Sequence, residues 1–259
     1  MRRKQIPCTI GLLLLALFFG REAFAQSDSA MTNYSQDTYE QEWKKIDSLD
    51  REGLWRSALE AVEDLYERAR ADNNPAQVIK TVIYRSKYEA QLSEDGLVQV
   101  IGKLEKELEG ASFPVAPILQ SMLGELYQGY VDQNSWSFSD RTTVIDYNSE
   151  DIRTWSIEQL NERILSLYDA SVQDELLKQV SVENFDAITT EAKNVEGLRP
   201  TLYDFLVHRA IDQFRNERSY ATQPAYAFYL RDEAAFANAA AFAAHDFETR
   251  DTASQQYKA

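Results

Sequence analysis

The sequence predicts a mainly α protein of stacked helical hairpins, an α-solenoid, with a small irregular or β insertion. Three observations predict it. Apolar residues recur at intervals of three and four over most of the chain from about Asp37. Helix starts near residues 38, 75 and 115 repeat at a spacing of about 37 to 40, with a shorter partner helix between each pair. One stretch, 136–156, loses the helical period, is rich in Ser, Asp and Asn, and holds β-formers from Thr142 to Ile145.

The elements follow in chain order. "MRRKQ" is a basic start, "CTIGLLLLALFFG" an apolar run, and "REAFAQ" supplies small residues at Ala23 and Ala25. That is the layout of a secretory signal peptide over 1–25, cleaved between Ala25 and Gln26, and it predicts export to the periplasm or the outside of the cell. The run is short of the roughly 20 apolar residues that span a bilayer, so no stable membrane insertion is expected after cleavage. Cys8 precedes the leucines rather than following them, which fits a small apolar residue inside the signal and not a lipidation site. Beyond residue 25 the chain has no cysteine, which excludes disulfides, thiolate metal sites and cysteine nucleophiles from that part.

Removal of the signal leaves 234 of the 259 residues. Residues 1–25 carry four basic side chains (Arg2, Arg3, Lys4, Arg21) and one acidic (Glu22), so the formal charge moves from −15 to −18. So acidic a surface repels phosphate backbones, and no nucleic-acid partner is expected. Residues 26–36 are polar and read as a flexible lead-in.

The helical-hairpin region covers 37–135. Tyr39, Trp43, Ile46 and Leu49 form one apolar stripe, which Gly53 interrupts. Leu54, Ala58, Val62, Leu65 and Ala69 form a second, stopped by Asn73 and restarted by Asn74 with Pro75 in the first turn. Val78, Ile79, Val82, Ile83 and Tyr88 mark the third helix, and Leu97, Ile101, Leu104 and Leu108 the fourth, closed by Gly110. Ile118, Leu119, Met122, Leu123, Leu126 and Tyr130 mark the fifth. After the crossing segment a second helical part, 157–259, opens on a capping box of Ser156 and Gln159 and the stripe Ile157, Leu160, Ile164, Tyr168. Another helix follows Pro200, and the alanines around Phe236, Phe242 and Phe247 suit a close-packed helix. The final "DTASQQYKA" begins like a further helix, with Thr252 and Gln255 as its cap, and reads as an interrupted element.

No residue pattern here predicts catalysis, and the chain is expected not to be an enzyme. Glu105, Glu107 and Glu109 fall on the charged side of a leucine-backed helix and read as a solvated face. Asp140, Asp146, Glu150 and Asp151 suit caps and turns, and they lack the alternating spacing of a calcium loop. His208 has Asp204 and Asp212 one turn away on either side, as a positioned base or as a packed histidine bonded to one of them. His245 stands alone, and two distant histidines without cysteine predict no zinc. Seven isolated glycines beyond the signal cannot build a phosphate loop, so no cofactor is expected. Tyr220, Tyr226, Phe228 and Tyr229 form an aromatic cluster that reads as packing or as a stacking platform. What remains is a binding surface for protein partners.

Two resemblances add to this. "GLWRSALEAVEDLYERA" resembles a tetratricopeptide repeat in its Gly–Ala–aromatic spacing. "SALEAVEDLYERARADNNPAQVIKTVIY", "PILQSMLGELYQGY", "DRTTV" before "DIRTWSIEQL", and "RPTLYDFLVHRA", in that order, resemble the N-terminal region of large bacterial alpha-2-macroglobulin-like proteins. The resemblance implies a signal and helical region that precede β-sandwich macroglobulin domains in a longer parent, which entraps proteases that cut a bait segment. No sandwich, bait or thioester cysteine lies within these residues, so trapping is implied for the parent, and downstream macroglobulin domains become candidate partners in the same chain.

Overall fold

The computed structural model describes residues 33–138, 151–189, 197–215, 229–231 and 233–248. The signal segment with Ala25 and Gln26, the β-forming Thr142–Ile145, Tyr220, Tyr226, Phe228 and the closing "DTASQQYKA" lie outside them. The described chain is mainly helical, and consecutive helices pack on one another. Its described residues fall into two compact units: those within 1–119 and 175–202, and those within 120–174 and 203–259.

In the first unit, α1 spans Asn33–Arg51, α2 Trp55–Ala71, α3 Pro75–Leu92 and α4 Gly96–Glu109. Three-residue links join them, too short for anything but neighbouring helices that reverse direction. Their chemistry is local. Gly53, at φ +73°, takes a left-handed conformation that a side chain resists, and it ends the first turn after α1. Asn73 is left-handed too, at φ 50°. Asn74 then caps α3, its Oδ1 accepting from the Gln77 backbone N–H at 3.2 Å, and Pro75 occupies the first turn.

Most residues of the predicted stripes form the core, while Leu49, Ile83, Leu97 and Leu108 are half-buried. Tyr39, Trp43 and Ile46 of α1 are buried with Ala58, Val62, Leu65 and Ala69 of α2, while Leu54 stays exposed beyond the first turn. Ile79, Val82 and Tyr88 of α3 and Ile101 and Leu104 of α4 complete it. Polar bonds set the register. The Tyr39 hydroxyl donates to Asp72 at the end of α2 at 2.7 Å, and Trp43 Nε1 donates to Gln77 at the start of α3 at 2.7 Å. Lys87, near the end of α3, pairs with Asp50 near the end of α1.

Residues 175–202 complete this unit. Two 3-10 turns, Glu175–Gln179 and Val182–Phe185, bury Leu177 and Phe185, and the second packs on α3. An isolated antiparallel bridge between Ser181 and Thr201 ties the segment to itself.

In the second unit, α5 (Val115–Phe138, counted here from Gln120), a 3-10 turn at Ile152–Thr154, α6 (Ile157–Ala170) and α7 (Leu202–Phe214, counted from Tyr203) enclose Leu123, Leu126, Leu160, Ile164 and Leu206. The expected capping box of α6 is present in both bonds: Gln159 N–H to Ser156 Oγ at 3.3 Å, and Ser156 N–H to Gln159 Oε1 at 2.8 Å. Arg209 of α7 donates to Ser121 Oγ at 2.8 Å and Glu125 Oε2 at 2.7 Å on α5, and Gln213 donates to Gln128 at 2.8 Å. Tyr127 stacks on Trp155 with centroids 5.8 Å apart.

Four expectations change. Helix α1 begins at Asn33, inside the expected lead-in 26–36. Helix α5 runs to Phe138, past the expected end of the repeat region at 135. Asn134 donates back to the Tyr130 carbonyl at 2.8 Å, and Tyr130 meets Phe138 edge-on, so polar residues are carried along by an apolar face. Where the sequence reading divides the chain at 136–156, contacts divide it within α5 and return 175–202 to the first unit. The alanine-rich stretch is not a close-packed helix. It holds a 3-10 turn at Glu233–Phe236 and a short α8 at Ala239–Ala243, with Phe236 and Phe242 exposed. The reason is Asn238, whose side chain accepts from the Ala241 N–H at 3.0 Å and starts a new helix in mid-run. Alanines then have too little surface to draw either piece into a core.

Candidate functional site

The first unit contains a cleft of about 430 Å³ lined by α2, α3 and α4, through Glu63, Tyr66, Arg70, Arg85, Glu89, Lys103, Lys106 and Glu107, with Gly110 at the rim. Helix geometry makes it. Tyr66 and Arg70 are four apart on α2, Arg85 and Glu89 four apart on α3, and Lys103, Lys106 and Glu107 share one side of α4, so each helix presents neighbouring side chains on one face.

Glu107 is the centre of the polar network. One carboxylate oxygen accepts from the Tyr66 hydroxyl and the other from Arg85 at 2.8 Å. Arg85 also lies over the Tyr66 ring at 4.8 Å, and Arg70 over the same ring at 5.7 Å, with a long contact of 3.5 Å to its hydroxyl. Lys103 pairs with Glu89 at 2.7 Å. Burial, then the bond to Glu107 and its charge, push the Tyr66 phenol above its ordinary value of 10.0. Burial works against the Arg85 charge, but the hydrogen bond and charge of Glu107 outweigh it and hold the guanidinium pKa above its ordinary value.

Burial acts on phenols elsewhere too, and it gives a prediction. Tyr39, through burial and its bond to Asp72, and Tyr168, through burial, are both pushed up to about 12. A phenol whose folded pKa exceeds its unfolded value keeps its proton in the folded state, so its contribution is complete below pH 10 and is lost as pH rises from 10 to 12. For Tyr168 the loss is on the order of 2–3 kcal/mol. Thermal melts from pH 8 to 12, with tyrosinate absorbance followed in parallel, should show flat stability to pH 10 and a steep fall above it. A melting temperature unchanged to pH 12 would contradict the assignment.

The residues singled out from sequence are scattered. Asp151 is half-buried, caps the 3-10 turn and binds Arg153 at 2.8 Å, which holds its carboxyl below the ordinary value. Asp140, Asp146 and Glu150 lie outside the described residues. His208 is half-buried on α7, and His245 is exposed with its ring edge-on to Phe247 at 4.5 Å. Tyr229 is exposed and has Arg231 over its ring at 4.7 Å. Among the described residues no group of three or more His, Cys, Asp and Glu side chains could hold a metal ion, and no helix is long and apolar enough to cross a membrane.

Glu107 requires a correction. It does not share a solvated face with Glu105 and Glu109 but turns into the cleft. The signal was available: it lies three residues after Leu104 and seven after Val100, both buried, on the flank of the apolar stripe. Tyr66, Arg70, Arg85, Glu89 and Lys103 went unmarked because each is ordinary within its own helix, and only packing gathers them.

Fold and cleft together define a mainly helical protein of packed neighbouring helices with a charged interhelical cleft. No protein-family model matches the chain, and no match to it is found among curated proteins or solved structures.

Proposed function

We propose that this chain is a non-catalytic interaction region of an exported protein, its hairpins stacked as a tetratricopeptide-like solenoid, and that it forms the N-terminal part of an alpha-2-macroglobulin-like protease inhibitor. The observation that carries the interaction reading is the register of alternate helices. The middle of α1 meets the start of α3 through Trp43 and Gln77, and the ends of the two helices meet through Asp50 and Lys87, so contacts advance in the same direction along both. Helix α2 meets α4 through Tyr66 and Glu107. These contacts support a stacking of hairpin α1–α2 on hairpin α3–α4 as consecutive units of a helical repeat. The unit is longer than the 34 residues of a tetratricopeptide repeat: α1, α3 and α5 start at 33, 75 and 115. The likeness is one of arrangement, not of length.

Export rests on the signal layout of residues 1–25, and the macroglobulin parent on the four resembling segments alone. Trapping is left to the parent's other domains, because nothing in these hairpins offers a bait.

An antibody raised against the hairpin region, used on envelope and secreted fractions of cells that carry the gene, tests both parts. A band several times larger than this chain supports the inhibitor parent. A band at the size of the processed chain replaces it with a free-standing exported scaffold, and a cytoplasmic band removes the export reading.

A further inference from the structure

We propose that the cleft between α2, α3 and α4 binds an acidic peptide segment, with Arg70 and Lys106 meeting its carboxylates. This names a partner class for the interaction region above and rests on that reading. The chain carries 42 acidic against 27 basic side chains, yet four cations and three carboxylates line this cleft. Two of those carboxylates are already engaged. Glu107 holds Tyr66 and Arg85, and Glu89 holds Lys103. They act as positioning groups for cations rather than as open acceptors.

The cations are placed for use. The Arg85 side chain is only 15% exposed and is held between Glu107 and the Tyr66 ring, so its ordering cost is met before any ligand arrives. A guanidinium has five N–H donors, and the bond to Glu107 uses one of them. Arg70 rests on Tyr66 and has no carboxylate partner among the described residues, and Lys106 has no ion pair among them. Both are exposed. Charge-assisted bonds to carboxylate are about twice as strong as neutral ones, so these two groups supply the new contacts.

Size and field select the ligand. The cleft, about 430 Å³, is many times the roughly 30 Å³ that a water occupies, so it fits side chains on a peptide better than a small anion. The acidic surface repels an acidic peptide at long range. At physiological salt that repulsion is screened beyond about 8 Å, and bonds inside the cleft decide the outcome.

The test is fluorescence anisotropy of labelled hexaglutamate on the full chain at physiological salt, with hexaglutamine and hexalysine as controls. Hexaglutamate should bind saturably, hexaglutamine should fail, and any attraction of hexalysine to the acidic surface should not be weakened by substitutions of the cleft cations. The double substitution Arg70→Gln with Lys106→Gln, folded by circular dichroism, should weaken binding by about tenfold or more. If that variant does not fold, Lys106→Glu alone, exposed on α4, should abolish binding by charge reversal. Unsaturable binding, equal affinity in the substituted chain, or displacement by an equivalent concentration of inorganic phosphate would each overturn the proposal. None of these outcomes alters the size of the native product, so failure here is separable from failure of the interaction-region reading.

Discussion

Phe185→Ala is expected to destabilise the first unit by about 3–5 kcal/mol. Phe185 is 1% exposed and closes the 3-10 turn Val182–Phe185, which packs on α3. A four-residue turn has almost no stability of its own. What keeps it in place is a short frame of backbone bonds: Val182 N–H to the Pro200 carbonyl at 3.0 Å, Leu202 N–H to the Val180 carbonyl at 2.8 Å, and the Ser181 side chain accepting from Glu183 N–H at 3.2 Å. That frame presents one large ring to the core. Truncating the ring removes its transfer energy and leaves a void that the tied backbone cannot collapse to fill. Glu183→Ala, exposed in the same turn, should change stability by no more than about 0.5 kcal/mol. Native-state hydrogen exchange at the amides of α3 reads the first unit selectively. Faster exchange there in Phe185→Ala but not in Glu183→Ala is the expected result. Unchanged exchange would mean that 175–202 contributes nothing to the first unit.

That return of 175–202 shows where sequence reading stops. Caps and turns are local chemistry, so Asn73, Asn74, Pro75, Ser156 and Gln159 fall where the letters place them, and α3 and α5 begin at residues 75 and 115 as read. Buried stripes were equally legible, because the helical period displays them within a single element. The 3-10 turns have no such period, and their burial depends on a partner about a hundred residues earlier. The cleft was hidden for the same reason. Tyr66 and Glu107 are 41 residues apart, and each looks like an edge residue until the hairpins stack. The alanine run failed differently: composition favours helix, but helices last in water through what they bury, and alanine buries little.

Two glycines of α5 should respond to substitution with opposite signs. A Cβ built on Gly124 would stand 2.6 Å from Cε2 and 2.8 Å from Cδ2 of Tyr168, closer than carbon atoms approach one another. The ring cannot swing aside cheaply. Tyr168 is 5% exposed, and its own helix α6 is fixed by the capping box at Ser156 and by the burial of Leu160 and Ile164. Glycine therefore sits at 124 so that α5 and Tyr168 can touch, at a cost in helix propensity of about 1 kcal/mol relative to alanine. Gly124→Leu recovers that propensity but forces four carbons into the contact, and the expected net loss is about 3 kcal/mol from displaced helices and strained rotamers. Gly129 lies in the same helix with nothing within 4 Å of its Cβ position. Gly129→Ala should gain about 1 kcal/mol, because propensity acts there unopposed. Urea unfolding followed by far-UV circular dichroism, together with the near-UV signal of Tyr168 and its neighbours, measures both. A loss at 124 with a gain at 129 assigns the difference to the Tyr168 contact. Equal gains at both sites would mean that α5 and the Tyr168 ring are not held against each other, and the packing described for the second unit would have to be abandoned.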